Sequence, residues 1–342
     1  MSSSTHRLPD GPDVAWRASE RVTWPWLIAL AAGLLLLARL GAHAMVLGHH
    51  VGAFNPASGI AAGALAIATR RRWLLIGVVF GITLVVQPIP LHSASAHVAS
   101  AAGTATEAAV FAWLLATVWP RARDLDTRVA VLQFFGAAVV AAGVGTAITT
   151  LGITLTPTGS IPATSWAVGT ESHTLGILTM APIVLLGGRL RRLDARRSLE
   201  LAGFVALLLV ATRVGFNPNL AAMCPYVPLG LLLFSVVWVG TPGAALLPMV
   251  LVPVAVLETI GGRGPFALTG TEYERVLATQ LYGLFAAAGV GRGRGARGTR
   301  GSGRRAAERQ LGARYARRRA DGRARARDRA RAARGADLRG IG

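Results

Sequence analysis

The chain has no lysine: all 36 of its basic residues are arginine, set against only 16 acidic ones. That bias points to a GC-rich gene rather than to a binding code. Its one cysteine, Cys224, excludes an intramolecular disulfide. Charged residues make up 15% of 342 positions, too few to clothe a water-soluble globule when 52% are hydrophobic and the mean hydropathy is +0.48. Enzyme signatures are missing too, with no Gly-x-Ser-x-Gly, no His-Glu-x-x-His and no nucleotide loop, so no enzyme is expected. A cleavable signal peptide is also lacking. The first twenty residues are polar and lead into an apolar run, Trp26 to Val46, long enough to stay in a bilayer as a first transmembrane helix.

What is there begins with charge confined to one end. The formal net charge is +20, but 18 of the arginines fall after Gly291, opposed only by Glu308, Asp321, Asp328 and Asp337. Residues 292–342 are Arg, Ala and Gly with almost nothing to bury, and cannot build a core. They are expected to be a disordered basic tail attracted to anionic lipid headgroups, with no specific nucleic acid, because a lone aromatic, Tyr315, is all that interleaves the arginines. A sharper expectation is that the tail is read out of frame near codon 290.

Between a cytoplasmic segment, 1–23, and that tail, residues 24–291 carry apolar segments near 24–47, 55–69, 73–90, 97–119, 129–152, 166–187, 199–213, 225–239, 243–260 and 275–291. The fold class expected is all-α, a polytopic transmembrane helical bundle of eight to ten helices. Segments 55–69 and 225–239 are short and suit half-helices or re-entrant pieces. Arginines cluster in alternate connections: Arg17 and Arg21, Arg70 to Arg72, Arg121, Arg123 and Arg128, then Arg189 to Arg197. The intervening connections, at 49–54, 88–95 and 154–165, have none. The positive-inside rule then places both termini in the cytoplasm of a cell with an inner membrane.

Ionisable side chains inside such segments cost a few kcal/mol to insert and are functional candidates for that reason. Glu107 stands about a third of the way along the fourth segment and must be neutral, paired or wetted; the plain alternative is a hydrogen bond to a neighbouring helix through Thr104 or Ser100. Glu171 and His173, near the outer end of the sixth, are two apart and point different ways on a helix, so they are not expected to grip one ion. An imidazole, with a reference pKa of about 6.5, is either a protonatable switch or an interhelical hydrogen-bonding group. His43, His49, His50, His92 and His97 fall at outward helix ends but lack tight metal spacing, so no metal and no cofactor is expected. Asn55, Pro56, Ser58 and Gly59 read as a helix start, with Asn55 or Ser58 as cap. Phe-Asn-Pro recurs at 216–218, a weak hint of a repeat. GGRGPF at 261–266 reads as a lid or turn, where Arg263 with Arg213 either attracts an anion or snorkels to headgroups.

FNPASGIAAGALAIATRRRW at 54–73, GTATEAAVFAWLL at 103–115, SHTLGILTMAPIVLL at 172–186, and GGRGPFAL at 261–268 followed by Gln280, taken in that order, resemble the membrane-associated sensor family of the first type, the MASE domain. The resemblance covers roughly residues 25–290. It implies a multi-helix sensor set ahead of a cytoplasmic output such as a diguanylate cyclase, histidine kinase or phosphatase, here expected to be lost. The chain departs from the family pattern at Thr104, usually Asn, and at His173, usually Asp. The function expected is sensing of an unknown small ligand, periplasmic or intramembrane, passed on through the last helix, with homodimer formation left open. The competing reading is a small-solute or ion transporter, for which Pro225, Pro228, Pro242, Pro248 and Pro253 would supply unwound backbone.

Overall fold

The computed structural model describes residues 24–43, 53–68, 72–86, 94–125, 127–156, 164–190, 193–217, 225–268 and 270–289. Among them there are ten α-helices and no strand: α1 (Trp24–His43), α2 (Pro56–Ile67), α3 (Arg72–Val86), α4 (Ala94–Trp113), α5 (Arg128–Thr154), α6 (Thr164–Leu190), α7 (Ala195–Gly215), α8 (Tyr226–Ala244), α9 (Leu247–Ile260) and α10 (Glu272–Gly289). Each apolar segment of the sequence holds one helix. All belong to a compact unit ending at Gly293; the N-terminal segment, the basic tail and most of the arginine-free connections lie outside the described residues.

The helix ends follow local chemistry. Thr127 caps α5 by accepting from Ala130 N at 3.1 Å, and Asp194 caps α7 by accepting from Arg197 N at 2.8 Å. At α10, Thr271 and Glu274 form a reciprocal capping box, 3.3 Å and 2.7 Å. Helix α4 passes through a π turn, Leu114–Val118, and a 3-10 turn, Pro120–Asp124, that carries Arg121 and Arg123.

Segment 225–239 is not short. Helix α8 runs 19 residues to Ala244, because Pro228 sits in the first turn, where the missing N–H has no partner to lose. The unwound backbone expected from its prolines shrinks to Ala245 and Leu246, ahead of Pro248 in the first turn of α9. Helix α2, by contrast, is 12 residues long. At 1.5 Å per residue it covers about 18 Å, well under a bilayer core of about 30 Å.

Polarity runs inside out. Ser58, Ser100, Thr104, Glu107, Ser172, Thr174, Thr179 and Gln280 are buried, while Trp73, Val85, Leu132, Leu151, Val210 and Phe285 are exposed. A protein in water would hide the second set; lipid-facing helices present it. Four stretches are long and apolar enough to cross a membrane, Ala94–Val118, Arg128–Thr154, Ala195–Gly215 and Leu247–Leu268, with shorter apolar helices between them. Most buried threonines satisfy their hydroxyls on carbonyls one turn back, as Thr179 does on Leu175 at 2.8 Å and Thr212 on Leu208 at 2.7 Å, whereas Thr146 and Thr174 do not.

Glycine lets the central helices touch. A Cβ on Gly59 would lie 2.6 Å from Met180 Cβ, one on Gly63 2.9 Å from Val184 Cβ, and one on Gly145 2.8 Å from the carbonyl oxygen of Gly103. Small residues at these crossings do in lipid what large apolar side chains do in water. Helix α2 is the result: Ala and Gly on all sides, buried between α1, α4 and α6.

Candidate functional site

The N-terminus of α2 is built by three neighbouring residues. Asn55 accepts from Ser58 N through Oδ1 at 3.4 Å, Pro56 occupies the first turn, and the Asn55 backbone N–H donates to Ser172 O of α6 at 3.4 Å. Gly59 is where α2 meets Gly176 of α6, and Gly176 in turn lies under the Asn55 carbonyl. The backbone contact that sets the helix crossing also aims the polar groups of α2 at α6.

They converge on His173. Asn55 Nδ2 lies 3.0 Å from His173 Nε2, Ser58 Oγ lies 3.1 Å from His173 Nδ1, and Glu107 Oε2 of α4 makes a short bond with the same Nδ1. Glu107 is fully buried, its Cβ packed against Gly145 of α5; the His173 side chain keeps 19% exposure. Helix α4 begins at Ala94 and its apolar stretch runs to Val118, so Glu107 stands at mid-helix rather than a third of the way along. Neither Thr104 nor Ser100 serves it: Thr104 Oγ1 donates to Ser100 O inside α4 at 3.1 Å.

Hydrogen-bond logic fixes the ring. The cap holds the Asn55 oxygen toward Ser58 N, so the NH2 faces His173 Nε2, which must then be the lone-pair nitrogen. The ring proton is therefore on Nδ1, donated to Glu107 with Ser58 Oγ as second acceptor. The other carboxylate oxygen, Oε1, is buried with no hydrogen-bond partner, and no arginine contacts the pair among the described residues. The centre holds an uncompensated acid in apolar surroundings, a costly arrangement that a proton or a cationic or hydrogen-bond-donating group would relieve.

The remaining candidates fall elsewhere. Glu171 is on α6 but about 200° round the helix from His173, with Oε2 buried and unpartnered; the two do not meet. Arg263 is not in this centre. It pairs with Glu258 Oε2 at 2.5 Å, while Arg213 takes Glu258 Oε1 at 2.6 Å, so the expected anion-attracting pair is instead engaged by a buried carboxylate. The GGRGPF turn carries these contacts, with Gly262 and Gly264 at φ 73° and 86°, conformations that favour glycine. Gly264 lies against Phe216, which packs with Phe266 and Tyr282. The two Phe-Asn-Pro copies are not equivalent: Asn55 caps a helix, whereas Asn217 follows the end of α7 with its N–H on Val214 O at 3.1 Å. Of the five outward histidines, His49, His50, His92 and the side chain of His43 lie outside the described residues. Among those described, no three His, Cys, Asp or Glu are placed to hold a metal.

Two residues were passed over as sites. Glu258 is an acid in an apolar segment, the same signal that singled out Glu107. Gln280 of α10 donates to Ala53 O at 3.1 Å and Val168 O at 3.3 Å, tying the last helix to the backbone beside Asn55 and to α6.

Among the described residues, an all-helical bundle with a lipid-facing apolar surface and an ionisable pair at its centre defines a polytopic membrane protein. The MASE1 family model matches residues 26–289, and the chain belongs to that family of membrane-associated sensory domains of signalling proteins. No curated protein and no solved structure matches it.

Proposed function

We propose that residues 24–289 sense a signal at the centre formed by Asn55, Ser58, Glu107 and His173 and pass it through α10 to a cytoplasmic output. The observation that supports this most directly is the Glu107–His173 pair, which joins α4 to α6 and, through Asn55, to the start of α2. A change in that pair alters what holds three helices together, and Gln280 links the same backbone to α10. A signal acts on such a bundle only by binding its two arrangements unequally.

The bundle lies in the inner membrane with both termini cytoplasmic. The arginines between α4 and α5 and in the first turn of α7 support that orientation, in register with Arg70 to Arg72. The start of α2 then faces the periplasm. Reporter fusions after Thr69 and after Gly188 test it, both expected on the cytoplasmic side; opposite sides would refute the arrangement.

Sensing is tested by joining residues 1–289 to a diguanylate cyclase domain and screening periplasmic stimuli for a change in cyclic dinucleotide. Glu107→Gln is expected to lock the output in one state. Transport is the other reading of a buried carboxylate: solute flux in proteoliposomes that disappears in Glu107→Ala, with a cyclase output indifferent to the substitution, would favour it.

A further inference from the structure

We propose that the ligand read by this centre is a proton, taken up at His173 Nε2, and that its uptake uncaps α2. The proposal rests on the sensory reading above and names its ligand.

Hydrogen-bond direction carries the consequence of protonation. In the structure His173 Nε2 accepts from Asn55 Nδ2 at 3.0 Å, and the opposite end of that amide, Oδ1, accepts from Ser58 N at 3.4 Å. A proton arriving from water on Nε2 turns the acceptor into a donor facing an NH2. Two donors cannot share a bond. The amide must rotate so that Oδ1 accepts from Nε2–H, and Nδ2 then faces Ser58 N, where nothing accepts. Asn55 cannot serve imidazolium and cap α2 at once.

The charge balance favours that uptake. Before it, the centre contains a carboxylate facing neutral groups; afterwards, an imidazolium–carboxylate pair of no net charge. The rival acceptor, Glu107 Oε1, is buried with no partner, so a proton there would create an unsatisfied O–H. The imidazole keeps 19% exposure, where Glu107 keeps 1%, so the ring is also the more reachable of the two groups. Among the described residues no other charge pairs with Glu107 or His173: Arg121, Arg123 and Asp124, in the 3-10 turn that packs on α6, stand at the far end of α4 from its start, and Arg189 stands in the last turn of α6. Helix α5 has one ionisable residue, Arg128, in its first turn; α8 has only Tyr226; Glu258, the one such residue of α9, is held by two arginines. On α10 the charged residues are Glu272, Glu274 and Arg275, at its start, and Tyr282 donates to Pro225 O at 2.9 Å. Glu171, on α6 itself, points round the helix from His173. The consequence travels: Ala53, two residues before the rotating amide, accepts the Gln280 bond from α10.

The test uses the full chain in lipid nanodiscs. Ring 15N signals, with His173 assigned by its loss in His173→Gln, report protonation of Nε2. Hydrogen exchange reports the first turn of α2, referred to the first turn of α5, whose Thr127 cap has no titrating partner. The expected result is a single midpoint at which Nε2 gains its proton and Ser58 exchange rises about tenfold beyond the α5 reference, the worth of one cap. Asn55→Asp accepts from Nε2–H and from Ser58 N together, so the ring titrates at higher pH and the exchange step vanishes. Asn55→Ser, whose hydroxyl caps without reaching the ring, keeps α2 protected throughout. A ring that does not titrate, titration without the exchange step, or a step that survives both substitutions overturns the proposal. A cyclase fusion that answers another stimulus through Glu107 while the ring stays unprotonated refutes the proton and keeps the sensor. A ring that titrates and uncaps α2 beneath an output silent to every stimulus does the reverse.

Discussion

Gly176 offers the sharpest test of how the bundle is held. A Cβ at this position falls on the Asn55 carbonyl oxygen and 2.7 Å from its carbon, backbone atoms that cannot turn aside as a flexible side chain would. Gly176→Ala therefore forces α2 and α6 apart. The shift stretches the Asn55 N to Ser172 O bond, already 3.4 Å, and the 3.0 Å Asn55–His173 contact. Overpacking costs about 1–3 kcal/mol and each of the two weakened hydrogen bonds roughly 1 kcal/mol, so a loss of about 3–5 kcal/mol is expected. Gly77→Ala and Gly81→Ala are the controls, since a Cβ at either meets nothing within 4 Å. They should be neutral or gain up to about 1 kcal/mol from helix propensity. Unfolding by SDS titration in mixed micelles measures all three. Equal stability for Gly176→Ala and the controls would refute the close crossing, and with it the placement of Asn55 over His173.

Gln280→Leu removes the donor from Ala53 O, which lies ahead of α2, and the second bond to Val168 O, which keeps its place in the ladder of α6; at roughly 1–3 kcal/mol for an unsatisfied group, a clear fall in the same titration is expected, and none would show that α10 is not anchored there. Glu258→Gln removes the charge shared by Arg213 and Arg263, whose side chains are 69% and 55% exposed, so solvent screening should keep the loss below about 2 kcal/mol. Proteolysis of the Gly261–Gly264 turn should quicken even so, because the Glu258 carboxylate holds the Arg263 guanidinium and only the 2.8 Å backbone bond from Arg263 N to Glu258 O survives the substitution; unchanged cleavage would count against that tether.

The ten apolar segments were legible because lipid imposes a length and a polarity on every helix, whatever its neighbours do. The start of α2 was legible too: Asn-Pro-Ala-Ser is cap chemistry wherever it occurs. Partnership was not. Nothing local to Glu107 or His173 says that they meet, since the pairing depends on how far α4 and α6 slide past each other, and that is set by contacts such as Gly145 against Glu107 Cβ and Gly176 against Asn55. Arg263 is a second case. The GGRGPF turn left it either attracting an anion with Arg213 or snorkelling to headgroups, and nothing in the turn names its partner Glu258, five residues back in an apolar segment.

The polar centre and the glycine crossings are one construction rather than two. A carboxylate reaches an imidazole on another helix, with a capping amide on a third, only if three backbones come within a side chain's length of each other. In lipid that approach is set by residues too small to hold them apart. The same closeness makes the hydrogen bonds of the pair directional, so that one ring nitrogen decides which way an amide faces. A wider bundle with leucine at Gly59 and Gly176 would fold around a wetter centre whose groups rearrange independently, and a change at His173 would end there. With glycine at those places the change has nowhere to go except into the start of α2 and the backbone that Gln280 holds to the last helix.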